Sequence, residues 1–191
     1  TVYYSFQMTV TALTGSNSSA GGFFIGLNNT GNSSQTTNPN VVGARVQARI
    51  DPNDSTKYDL GIFTNVSATA SATSWYPTAL SVGDTETVVA AYTFNGGSTT
   101  DDVASVWINP SNSDLTSSTA PTPTETSTGG DISNNPAVQI GSIILRQSPA
   151  PYLTIDTLSL CTSWSDVTTY LVPEPAAIVL VPAEIISSPR F

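Results

Sequence analysis

Val2-Tyr3-Tyr4-Ser5-Phe6-Gln7-Met8-Thr9-Val10 is the stretch on which the reading of this chain turns. Val2, Tyr4, Phe6, Met8 and Val10 alternate with Tyr3, Ser5, Gln7 and Thr9, and a period of two places one set on a core and the other toward water. The same alternation recurs at Ala44, Val46, Ala48 and Ile50 against Arg45, Gln47 and Arg49, and at Ala104, Val106 and Ile108 against Val103, Ser105 and Trp107. Shorter β-rich runs fill Phe23 to Leu27, Tyr58 to Phe63, Thr87 to Phe94, Ile140 to Arg146 and Tyr152 to Leu160, with Gly, Asn, Pro, Asp and Ser clusters between them. No window of helix length carries an apolar stripe at three-to-four spacing, and the best helical candidate is one turn near Ser163 to Thr169. Ser111 to Pro136 is mostly Ser, Thr, Pro, Asn and Gly, and reads as a long surface loop. Eight or nine short strands with turns between them predict an all-β fold, a two-layer antiparallel sandwich or jelly roll, over residues 1–171.

Composition narrows the chemistry. Only 10% of the 191 residues are charged and the net charge is −9, while Ser and Thr number 54, so the surface is hydroxyl and amide rather than ionic. Without His, the chain lacks the usual general base and the commonest neutral metal ligand. A single Cys, Cys161, leaves no internal disulfide and no thiolate zinc cluster; it reads as a buried small hydrophobe. Five Lys and Arg cannot supply the phosphate contacts that nucleic-acid binding needs, and an anionic membrane would repel the chain. Thr1 opens directly onto a strand pattern rather than a signal peptide, as in a mature secreted chain. Sequons at Asn17, Asn28, Asn32, Asn53 and Asn65 are candidate glycosylation sites on an extracellular surface.

Two groups of residues are candidates for binding. Asp101-Asp102 and Asp51-x-Asn53-Asp54 are the densest oxygen clusters, of the type calcium takes as ligands, although Asp and Asn are also ordinary turn residues that bond their own backbone. Trp75 and Tyr76 are the best candidates for stacking on a sugar. Trp107 and Trp164 are expected against the core.

Several stretches in order resemble secreted bacterial proteins with a concanavalin A-like, laminin-G-like jelly roll. They are Tyr3-Tyr4-Ser5-Phe6, Gly21-Gly22-Phe23-Phe24-Ile25-Gly26, Ala44-Arg45-Val46 with Tyr58-Asp59-Leu60-Gly61-Ile62, Gly83-Asp84, Asp101-Asp102 before Val106-Trp107-Ile108-Asn109-Pro110, and Ile155-Asp156-Thr157-Leu158 before Thr162-Ser163-Trp164-Ser165-Asp166-Val167. Val172-Pro173-Glu174-Pro175 is similar to the Pro-Glu-Pro motif that opens a bacterial sorting signal in many of them. Here the apolar run that follows, Ala176 to Val181, is six residues before Pro182, far short of the about 20 that span a bilayer, so no membrane span is expected. Glycan-cleaving members of the fold carry Glu-x-Asp-x-x-Glu or Glu-x-Asp-x-Glu clusters. None of Glu86, Glu125, Glu174 and Glu184 has such neighbours, so the chain is not expected to be an enzyme.

The tail decides between the remaining classes of function. Residues 172–191 read as a stiff linker and an apolar extension, in which Ala176, Ala177, Ile178, Val179, Leu180, Val181, Ile185 and Ile186 need a surface to cover them. Adding that segment as a strand to the next copy makes a head-to-tail contact that does not close, hence a homopolymer. The leading expectation is a structural subunit of an extracellular filament. The alternative is an extracellular carbohydrate-binding module, whose partners would be glycans held at Trp75 and Tyr76. No cofactor other than calcium is expected.

Overall fold

The computed structural model describes residues 1–14, 16, 21–29, 41–65, 73–132, 140–147 and 150–172. It contains eleven strands: β1 (Val2–Ala12), β2 (Gly22–Asn28), β3 (Val42–Ile50), β4 (Lys57–Phe63), β5 (Ser74–Trp75), β6 (Leu80–Ser81), β7 (Thr85–Thr93), β8 (Asp102–Ile108), β9 (Glu125–Gly129), β10 (Ser142–Leu145) and β11 (Tyr152–Cys161). Two short helices, α1 (Asn112–Leu115) and α2 (Trp164–Thr168), complete it. The strands form two antiparallel sheets. One is ordered β11-β1-β7-β8-β9 and the other β10-β2-β3-β4-β5, with β6 also paired to β4. The chain passes between sheets four times, after β1, β6, β9 and β10, which gives the crossed connections of a jelly-roll sandwich.

The alternation in β1 does what its period requires. Tyr4, Phe6, Met8 and Val10 are fully buried between the sheets, where they meet Leu27, Ala44, Val46, Ala48, Tyr58, Leu60 and Ile62 of the opposite sheet and Val88, Ala90, Ala104 and Val106 of their own. The other side of the five-stranded sheet is covered as well. There Val89, Ala91, Trp107, Leu115, Trp164, Val167 and Leu171 form a second apolar cluster, roofed by α1 and α2. Ser5 is completely buried beneath α2 and donates to the Val167 carbonyl at 2.6 Å.

Four expectations change. Ser111 to Pro136 is not one loop: it holds α1, capped by a reciprocal pair of bonds between Ser111 and Asp114, and strand β9, and it buries Leu115 and Ile132. Capping by hydroxyl and carboxylate side chains lets a Ser/Thr-rich segment form a turn of helix without an apolar stripe. Among the described residues there are two helical turns rather than one. Trp107 and Trp164 are buried, but in the second cluster outside the five-stranded sheet rather than between the sheets. Cys161 is partly buried at the edge of that cluster. The assembly residues Ala176, Ala177, Ile178, Val179, Leu180, Val181, Ile185 and Ile186 lie outside the described residues, as do Asn17 and Asn32.

Candidate functional site

The two outer faces of the sandwich differ. Both described helices lie on the five-stranded sheet, and neither covers the six-stranded one. Strand register decides what that second face presents. In β3 and β4 the pairs Val46 with Ile62, Ala48 with Leu60 and Ile50 with Tyr58 point to the core, so Arg45 with Phe63, Gln47 with Gly61 and Arg49 with Asp59 point away from it. Phe23 stands opposite Gln47 on β2, and Trp75 stands opposite Gly61 on β5. One row across the sheet is therefore Phe23, Gln47, Gly61, Trp75.

Missing side chains make room for the large ones. A Cβ at Gly61 would lie 2.7 Å from Cε3 of Trp75, and one at Gly26 would lie 3.1 Å from Cγ of Arg45, so the indole and the arginine stem rest directly on backbone. The guanidinium of Arg45 sits 4.5 Å from the ring centre of Phe63 and 5.1 Å from that of Phe23; Arg146, just beyond β10, sits 4.6 Å from Phe23. Arg49 covers Trp75 at 4.2 Å and donates its Nε–H to Asp59 at 2.9 Å. Cations over aromatic faces are attracted by the ring quadrupole, at about 0.5–2 kcal/mol each depending on desolvation. Gln47, buried, donates to Thr73 at 3.0 Å.

Charge on this face is uneven. At one end Arg49 is neutralised by Asp59, whose carboxyl is pushed above its ordinary range by burial while Arg49 pulls against that push. At the other end Arg45 and Arg146 have no carboxylate within ion-pair distance among the described residues. Burial, with the charge of Arg146 beside it, lowers the Arg45 pKa to about 10, which leaves it protonated at neutral pH. Its Nε is buried with no hydrogen-bond partner among the described residues.

The residues expected to stack on sugars are divided. Trp75 is half-buried on this outer face, but Arg49 occupies a face of its indole. Tyr76, the next residue, turns the other way and packs against the core, its backbone N–H held by the Leu60 carbonyl at 2.8 Å. The pair does not form one stacking platform. Sequence reasoning missed Arg45, Arg146, Phe23 and Phe63. The available signal was that four of the five Lys and Arg residues fall in or beside strands, two of them on one face of β3.

The acidic cluster holds more residues than expected, because Asp131 joins Asp101 and Asp102, with one carboxylate oxygen of each within 4.8 Å of the others. Most of these oxygens already accept bonds from the chain. Asp102 takes the Tyr92 hydroxyl and the Asn95 N–H, both at 2.6 Å, Asp101 takes the N–H groups of Gly97 and Ser98, and Asp131 takes those of Asp101 and Asp102. The cluster ties the loop before β8 to the end of β9. Asp51 and Asp54 act similarly in the β3–β4 turn, Asp51 accepting from the N–H groups of Asn53 and Asp54 at 2.8 and 2.6 Å. Of the described sequons, Asn53 is exposed in that turn, whereas Asn28 and Asn65 are each 1% exposed in the folded chain. A shallow depression of about 470 Å³ beside Asp84, Glu86 and Asn109 is acidic, and Glu86 there accepts from the Asn109 amide.

No family model and no curated protein matches the chain. Two solved structures are similar to it. One is a native heptameric SAP-like pentraxin from Limulus polyphemus, at 10% identity and a TM-score of 0.46, covering 88% of this chain and 68% of that one. The other is an alginate lyase in complex with alginate tetrasaccharide, at 18% identity and a TM-score of 0.49, covering 83% of this chain and 68% of that one. The resemblance in both is of the jelly-roll sandwich.

Proposed function

We propose that this chain is an extracellular carbohydrate-binding module whose glycan lies across the outer face of the six-stranded sheet. The observation that carries this reading is the half-buried Trp75 with Arg45, Arg49 and the exposed Arg146, set over the buried Phe23 and Gln47 on the sandwich face that neither described helix covers. Sugar sites combine apolar or aromatic surface with a few convergent polar donors, and guanidinium and amide groups held on strands are such donors without a large ordering cost. The test is titration with defined oligosaccharides, neutral and acidic, followed by intrinsic fluorescence. Trp75 reports from the face while Trp107 and Trp164 lie in the other cluster, so a response lost in Trp75→Phe supports the reading. Absence of any response across the panel overturns it.

A structural role is the second reading. It is supported by β11, an edge strand that pairs with β1 and leaves Tyr152, Leu158 and Leu160 between 42% and 49% exposed. A ten-residue edge with apolar side chains is a template for strand addition, and residues 176–186 of a neighbouring copy are the segment we assign to it. Truncation after Val172 tests this. A truncated chain that stays folded and sediments as a monomer, while the full chain forms filaments, supports it; a full chain that is monomeric at high concentration overturns it.

A further inference from the structure

The unneutralised end of the sheet face has a chemistry of its own. Arg45 and Arg146 both lie over the ring of Phe23, so their guanidinium groups are no further apart than the sum of 5.1 and 4.6 Å. Two like charges within about 10 Å of each other, one of them half-buried, lose hydration and repel each other, a cost that an anion held between them offsets. In a chain of net charge −9, acidic side chains are the abundant partner, yet none among the described residues is used here. The contrast with Arg49, which takes Asp59, shows that the fold supplies a carboxylate on this same face when an arginine is to be neutralised.

Resting on the glycan reading above, we propose that Arg45 and Arg146 are the receptor for the acidic group of an anionic polysaccharide, a uronate carboxylate or a sulfate ester. Phe23 is the floor that holds both guanidinium groups in place, and Phe63 closes the other side of Arg45. The buried Nε–H of Arg45 has no acceptor among the described residues, and the terminal N–H groups of the same half-buried guanidinium are the donors that meet the bound oxyanion. A planar guanidinium presents parallel donors to carboxylate or sulfate oxygens, which a lysine would not. Trp75, half-buried on the same face, meets the neutral part of the same sugar chain. The protein's overall negative charge repels a polyanion at long range, so recognition depends on these short contacts rather than on steering.

Affinity electrophoresis of the full chain through gels containing alginate, dextran sulfate or neutral laminarin separates the cases. Retardation by alginate or dextran sulfate, and not by laminarin, is expected, and the stronger of the two assigns carboxylate or sulfate. Arg146→Gln, on an exposed side chain whose loss leaves the core intact, should weaken retardation by about tenfold or more, since hydrogen bonds to charged groups are among the stronger ones. Lys57→Gln, at the far end of β4 from Phe63, should leave it unchanged. If laminarin retards as strongly as alginate, or if Arg146→Gln and Lys57→Gln weaken binding equally, the acidic receptor is overturned while glycan binding stands. If none of the three retards the protein, both are overturned.

Discussion

Trp164 donates its indole N–H to the backbone carbonyl of Asp114 at 2.9 Å, joining α2 to α1 across 50 residues of chain. The same ring meets Trp107 edge to face at 4.9 Å, and is 2% exposed. This contact makes the outer cluster a second, smaller core that holds the 111–124 segment down. Trp164→Ala should cost about 3–5 kcal/mol in urea unfolding, the range for deleting a buried aromatic. Trp164→Phe keeps most of the packing but removes one of the two donors to the Asp114 carbonyl, the other being the Ser117 N–H, and should cost about 1 kcal/mol beyond the volume lost. Equal and small effects from both would show that the helical roof contributes little.

Arg49 and Asp59 give a prediction whose sign depends on pH. Arg49→Met removes the partner of a carboxylate whose side chain is 4% exposed. At neutral pH the stranded charge should destabilise the fold by about 1–3 kcal/mol. The Asp59 pKa is already raised by burial, and loss of Arg49 raises it further. An acid whose folded pKa is raised weakens the fold above that pKa and ceases to do so once protonated, so the gap between variant and parent should narrow as the pH falls through it. A gap independent of pH would mean that Arg49 stabilises through its contact with Trp75 alone.

Much of the fold was legible because it rests on period-two alternation, which Val2 to Val10, Ala44 to Ile50 and Val103 to Ile108 all display. The strands missed were β5, β6 and β9, two of them only two residues long, whose pairing is imposed by β4 and β8 rather than by their own composition. The candidate site was less legible for a different reason. The alternation of Arg45, Gln47 and Arg49 says that they face away from the core, but which aromatic they meet depends on registers with β2, β4 and the end of β10, and that information is non-local. Trp75 and Tyr76 read as a loop-like pair, whereas Trp75 ends the two-residue β5 and Tyr76, the next residue, turns to the core.

Thr157 offers a stability gain. It lies at φ +56° in β11, where the register with β1 shifts between Ser5 and Gln7 and one extra residue must be accommodated. A β-branched side chain in the left-handed region costs roughly 1–2 kcal/mol, and Asn tolerates that region far better. Thr157→Asn should therefore raise the melting temperature by a few degrees, with Thr157→Gly giving a smaller rise because it frees the unfolded chain. A fall in both variants would show that contacts of the Thr157 side chain outweigh the backbone strain.

Asp131 tests the acidic cluster and decides the calcium question at the same time. Its carboxyl is raised above the ordinary range first by burial and then by the neighbouring charge of Asp102, against the pull of the N–H groups of Asp102 and Asp101. A raised carboxyl destabilises the fold above its folded pKa and not below the unfolded value of about 3.9. Acidification into that window should relieve the repulsion, opposite in sign to Asp54, whose pKa is lowered by the Thr56 hydroxyl and is protonated only at a cost to the fold. Asp131→Asn keeps an oxygen for the two N–H groups it accepts at 3.2 Å while removing the charge. In EDTA the variant should melt higher than the parent at pH 7, with the difference vanishing near pH 3. A hard cation held by Asp101, Asp102 and Asp131 would invert this, because the missing charge would then weaken a ligand. Melting in calcium chloride is the deciding measurement: a variant still more stable than the parent leaves the three carboxylates as a loop fastening, and a variant that becomes less stable only with calcium present makes them an ion site.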